Sequence, residues 1–306
     1  MKVDRALVDR LDREVVGRRR ELEVLVAALA ADRHMLLEGP PGTGKSTVLR
    51  SLAEATGAEF VFVEGNAELT PSRFVGTFDP AQVLAEGYSP EAFVDGPLIT
   101  ALREGALLYV EEINRVPEET LNVLITVMSE GELHVPRLGR VGAAEGFRLV
   151  AAMNPFDSVG TARISAAIYD RMCRITMGYQ DAATETRVVL REVPGADPDF
   201  AAKVVTVVRA TRDHPSVRIG SSVRGAIDLV LLAGELGGLR GTAADHFGTG
   251  LDAALAALSG RLRVFEGGEH QADDIVRELW AAVFDAPSGD GHANGDGDRE
   301  GDPGKV

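Results

Sequence analysis

The octapeptide GPPGTGKS, residues 39–46, constrains this chain more than any other stretch. It follows the apolar run HMLLE (34–38) and precedes a segment with Val48, Leu49 and Leu52 at helical spacing and Gly57 just past its end. Strand, glycine loop and helix in that order form a cradle for phosphate. Gly39, Gly42 and Gly44 let backbone N–H groups converge on an anion, and the helix aims its positive end at the same point. Pro40, Pro41, Thr43 and Thr47 complete the nucleotide-binding stretch. Lys45, one of four lysines in the chain, reaches toward β- and γ-phosphates, and the Ser46 hydroxyl is placed to ligate Mg²⁺. A glycine turn that merely joins strand to helix is the bland alternative, and the strand–loop–helix context disfavours it.

Around this motif the chain alternates strand and helix. Residues 4–32 read as one N-terminal helical segment, and EFVFV (59–63), LLYVE (107–111), RLVAAM (148–153) and MCRITM (172–177) as further buried strands. Residues 64–106 are too long for one crossover helix, and Pro71, Pro80, Pro90 and Pro97 break them into a helix with an inserted loop or hairpin. A helix follows Pro117 and ends at Gly131, with Leu121, Leu124, Ile125 and Met128 toward the core. From about residue 180 the pattern turns all-helical, with Asp197, Ser221–Ser222, Thr242 and Asp273 as N-cap or first-turn residues. The expected architecture is α/β: a parallel-sheet core over 1–179, an all-helical domain over 180–285, and an acidic Gly/Asp tail over 286–306 expected to be disordered.

Three further features carry chemistry. YVEEIN (109–114) ends a buried strand in two carboxylates, which is costly unless positive charge sits there. Mg²⁺-ATP supplies that charge, with Glu111 holding a metal-bound water and Glu112 orienting and deprotonating the attacking water. Asn154 closes the apolar strand RLVAAM, where it can contact a γ-phosphate; before Pro155 it also reads as a turn residue. Arg171 in YDRMCR and Arg224 in GSSVRG are only suggestive by themselves, since arginines are abundant and usually solvated.

Together, GPPGTGKS, the carboxylate pair, AAMNP, DRM and GSSVRG resemble the AAA-plus ATPases in order and spacing. The resemblance covers about residues 15–285 and is closest to the MoxR-like branch, whose relatives include RavA, CbbQ, NorQ and CoxD. LTPSRFVGTFDP (69–80), VDGPL (94–98) and EEINRVPEETLNVLITVMSEGEL (111–133) look like that branch's stretches. The resemblance implies Lys45 and Ser46 as Walker A, Glu111 and Glu112 as Walker B, and Asn154 as the sensor on the fourth strand. It implies Arg171 as the arginine completing a neighbour's site and Arg224 as the lid sensor. It also implies a helix-two insert within 64–106 and a second hairpin within 134–147, both near the pore of a hexameric ring. The client or adaptor would include a von Willebrand A domain protein, and the task would be enzyme maturation or metal or cofactor insertion. Glu111 departs from the usual Walker B aspartate by one methylene, so Mg²⁺–water geometry would adjust and turnover would slow.

The net charge is −15, and the five acids of the last 21 residues, against Arg299 and Lys305, do not account for it. An acidic body repels a phosphate backbone, which disfavours the alternative of a nucleic-acid-dependent motor or loader. A guanine-nucleotide switch is disfavoured because NPFD (154–157) has Pro155 where a guanine-reading element needs lysine. A nucleotide-bound scaffold that barely hydrolyses stays open. The lone Cys173 and six scattered histidines, His134 included, make no metal site. No apolar run is long enough to cross a bilayer, and the charged N-terminus is neither signal nor transit peptide; the expected location is the cytoplasm.

Overall fold

The computed structural model describes residues 4–155, 164–265 and 270–284. The N-terminal segment expected as one helical stretch forms two helices, α1 (Arg5–Glu14) and α2 (Arg19–Ala30). Asp4 caps the first by accepting the Leu7 N–H at 2.9 Å, and Gly17, at φ +70°, turns the chain between them. Strand β1 (His34–Glu38) runs into the glycine loop, and α3 (Lys45–Thr56) leaves it. After β2 (Phe60–Glu64) comes the expected insert: α4 (Pro71–Val75), β3 (Gly76–Phe78), α5 (Pro80–Glu86), β4 (Phe93–Asp95) and α6 (Pro97–Glu104), with β3 and β4 antiparallel. Each of its three α-helices has proline in the first turn, where the missing N–H is no loss. The chain continues through β5 (Leu107–Glu111), α7 (Glu118–Glu130), the hairpin β6 (Glu132–Val135) and β7 (Gly139–Gly142), β8 (Arg148–Met153), α8 (Ala166–Arg171), β9 (Met172–Thr176) and α9 (Ala182–Glu192).

Five strands form one sheet in the order β2-β5-β8-β1-β9, every pair parallel. A parallel sheet needs cover on both faces, and successive side chains point to opposite sides. Leu36, Leu108, Val110, Leu149 and Ala151 therefore pack on one face with Phe74, Leu98 and Leu121. Met35, Leu37, Tyr109, Val150 and Ala152 pack on the other with Leu22, Leu25, Leu49 and Leu52. Strand β1 lies between β8 and β9 while β2 occupies the far edge, so the direction of sheet growth reverses at β1. In sheets of this kind the crevice at such a reversal, beyond the carboxyl ends of the strands, is where ligands bind.

The chain divides into two compact units: one runs to Pro194 and takes in Ser222–Arg224, and the other holds Gly195–Ser221 and Gly225 onward. The division thus falls after α9, not at residue 180, because α9 packs with the sheet-bearing unit. The second unit holds α10 (Pro198–Asp213), most of α11 (Val223–Arg240), α12 (Phe247–Leu258) and α13 (Ala272–Val283). It is mainly helical but not purely so: β10 (Val217–Ile219) and β11 (Arg263–Val264) pair antiparallel. Segments that short show no period of two, and only their pairing across the intervening helices makes them strands. Asp197 caps α10 through the Phe200 N–H. Thr242 is not a cap; His246 holds the N-cap position of α12, and the Thr242 hydroxyl meets that of Thr249 at 2.9 Å. The 286–306 tail, Phe156 and Asp157 lie outside the described residues.

Candidate active site

Because all five strands are parallel, the glycine loop after β1, the carboxylates ending β5 and Asn154 after β8 share one edge of the sheet. Gly39 is fixed by close approach: a Cβ there would meet the Met177 carbonyl oxygen at 2.1 Å. Gly42 stands at φ +73°, and its Cβ would also strike the Ser222 hydroxyl at 2.2 Å. The cradle is therefore one that side chains would fill. Thr43 folds its hydroxyl back onto the Pro40 carbonyl at 3.0 Å.

Lys45 begins α3 with 8% of its surface exposed. Its ammonium donates to the Gly39 and Pro40 carbonyls at 2.8 and 2.9 Å, so the loop itself holds the cation over the cradle. Burial pushes its pKa down to about 8; Glu111 opposes that shift, and Arg224 and Arg18 add to it. One residue on, the Ser46 hydroxyl donates to Glu111 Oε1 at 2.8 Å and lies 3.3 Å from the Tyr109 hydroxyl. Both expected metal-holding groups thus touch directly. Hard oxygens of this kind suit Mg²⁺, which keeps several waters and takes few protein ligands.

Glu112 turns the backbone at φ +53°, a left-handed conformation that costs a non-glycine residue about 1–3 kcal/mol. Its carboxylate pairs with Arg115 Nε at 3.1 Å. Buried Asn114 bridges to the next strand end, donating to the Asn154 carbonyl at 3.4 Å. Arg224 sits by the loop, its Cδ 3.8 Å from where a Gly42 Cβ would stand. Arg171 belongs to another neighbourhood: it donates to the Ser129 hydroxyl at 2.6 Å and to the Ala167 carbonyl at 2.9 Å.

Sequence reasoning missed Arg18. It is 5% exposed, and its guanidinium donates to the Thr43 carbonyl at 2.9 Å and the Gly178 carbonyl at 2.6 Å, tying the loop to the end of β9. Glu21 neutralises it at 2.9 Å. The signal was available: Arg18 lies four residues before Leu22, on the buried stripe that Leu25 and Leu29 continue. Glu38, a buried acid ending β1, is the second omission.

A family model for the AAA domain (dynein-related subfamily) matches residues 34–172. The uncharacterised protein YeaC of Bacillus subtilis is 31% identical over 254 residues, 74% of this chain and 76% of that one. The chain belongs to the AAA-plus ATPases. Gas vesicle ATPase GvpN2 of Halobacterium salinarum is 31% identical over 211 residues, 63% of this chain and 60% of its own length. The chain therefore spans less than two thirds of that relative. The RuvB Holliday junction branch migration motor of Thermotoga maritima aligns at a TM-score of 0.53 and 16% identity, covering 79% of this chain and 70% of that one. At that identity the two share a fold. As an AAA-plus ATPase the chain binds nucleotide and hydrolyses it. Among the described residues no helix is long and apolar enough to cross a membrane.

Proposed function

We propose that this AAA-plus ATPase is a MoxR-like, Mg²⁺-dependent ring ATPase that remodels a protein complex in the cytoplasm. The observation that carries the catalytic half is the junction of Lys45, Ser46 and Glu111: a cation over a glycine cradle, with a hydroxyl and a carboxylate 2.8 Å apart beside it. In this reading the loop from Gly39 to Thr47 cradles the phosphates and Lys45 holds the β- and γ-phosphates. Ser46 and Glu111 would hold Mg²⁺, which when bound neutralises charge on the phosphate oxygens. Glu112 orients the attacking water and takes its proton, Asn154 holds that water against the γ-phosphate, and Arg224 contacts the nucleotide. Arg171, whose hydrogen bonds run to Ser129 and Ala167, serves the site of the next subunit in the ring.

The remodelling half rests on the helix-two insert and on charge. At −15 the chain is poorly suited to track a phosphate backbone, which favours a protein client or a von Willebrand A domain adaptor. Enzyme maturation or metal or cofactor insertion is the task this reading assigns. Lys45→Ala should abolish nucleotide binding. Glu112→Gln should slow hydrolysis while keeping ATP-stabilised assembly; unchanged turnover would sink the mechanism. Affinity purification on the Glu112→Gln chain with ATP then tests the rest, and recovery of nucleic acid in place of protein would overturn the remodelling role.

A further inference from the structure

We propose that Tyr169 is a positioning residue for Arg171, anchored on the buried carboxylate of Glu38 at the root of the phosphate cradle. Glu38 is the last residue of β1 and is 6% exposed. A carboxylate taken out of water has to be satisfied, and here two different elements do it. The Tyr169 hydroxyl on α8 donates to Oε1 at 2.9 Å, and Arg174 Nη1 on β9 donates to Oε2 at 3.2 Å. Burial, reinforced by the Glu38 acceptor, raises the Tyr169 hydroxyl to about 12, which keeps it a proton donor across ordinary pH.

Helix α8 spans only Ala166–Arg171, too short to hold its own direction. Its direction is therefore set by ties to neighbours. Ile168 is sunk in the core, Arg171 is bonded to Ser129, and Tyr169 is bonded to Glu38. The last tie is the one that leads to the cradle, since Glu38 immediately precedes Gly39, whose carbonyl accepts from Lys45 at 2.8 Å. Removing the Tyr169 hydroxyl leaves Ile168 packed but frees the helix to swivel about it, carrying Arg171 off its line.

The inference rests on Arg171 completing a neighbouring subunit's site, and mixed assemblies separate the two ideas. Lys45→Ala chains can lend Arg171 but cannot bind nucleotide; Arg171→Ala chains bind nucleotide but lend nothing. Mixed together, they should regain ATPase activity at the interfaces where the first serves the second. Adding Tyr169→Phe to the lending chain should cut the regained kcat on the order of ten- to a hundredfold, as expected for a displaced catalytic group, with the KM for ATP unchanged. Glu38→Gln in the lending chain keeps one acceptor oxygen, for which Tyr169 competes with Arg174, and should lose less of that rate than Glu38→Ala, which should match Tyr169→Phe. Thermal melts of each lending chain show whether it is folded, and the Glu38 pair carries the test if Tyr169→Phe is not. No loss from Tyr169→Phe, or an equal loss when it is placed in the Arg171→Ala chain, would overturn the proposal. Failure of the unmodified mixture to regain activity would overturn the reading of Arg171, and this proposal with it.

Discussion

Lys45 is a buried charge, and the phosphate-holding role proposed for it pulls against that burial. With its pKa at about 8 instead of 10.5, the native chain has released this proton while the unfolded chain still holds it. Between about pH 8 and 10.5 the unfolded state binds more protons, so the Lys45 contribution to stability rises with pH across that window. Phosphate binding needs the ammonium, so the affinity for ATP should fall as pH climbs through about 8. Calorimetric titration at a series of pH values checks this, and a flat profile between about pH 7 and 9 would contradict it. The residue types at Lys45, Ser46 and Glu111 were readable in the sequence. Arg18 and Glu38 were harder, because each looks like an ordinary surface charge until the buried stripe or strand it belongs to is known.

Among the elements, α7 shows how the insert is fastened to the core. Thr120, fully buried in its first turn, donates its hydroxyl to the Leu69 carbonyl at 2.6 Å, where the chain enters the insert. Thr120→Val keeps the shape and strands that carbonyl, so it should cost about 1–3 kcal/mol. A lower urea midpoint at unchanged slope is the expected readout. Most elements here were legible because apolar spacing and punctuating Gly and Pro agree, as at Pro117 and Gly131 around α7. The failures have different causes. Gly17 splits the N-terminal segment by a local turn that outweighs the apolar spacing on either side of it, whereas β10 and β11 exist only by pairing with each other, which a local window cannot see.

For the molecule as a whole, the parallel sheet turns separate motifs into one site by ending every strand on the same edge. The proposed role of Arg171 makes that site incomplete in a lone subunit. Specific ATPase activity should therefore rise with protein concentration and level off as assembly completes, followed by a coupled ATPase assay alongside sedimentation. Arg171→Ala should lower the plateau by about 10³-fold or more while leaving ATP binding intact. Equal specific activity at all concentrations would argue for a self-sufficient subunit.

By itself the sequence determined the glycine loop between strand and helix, the alternation of strand and helix, and the carboxylate pair, because each is a short-range pattern of residue size, spacing and charge. Tertiary structure alone decided that Ser46 touches Glu111 at 2.8 Å, that Arg18 laces the loop to the end of β9, and that Glu38 holds Tyr169. Those contacts join residues 65, 160 and 131 positions apart at their widest. Strand order within the sheet sets them, and strand order is a property of the packed chain, with no signature in any local stretch of it.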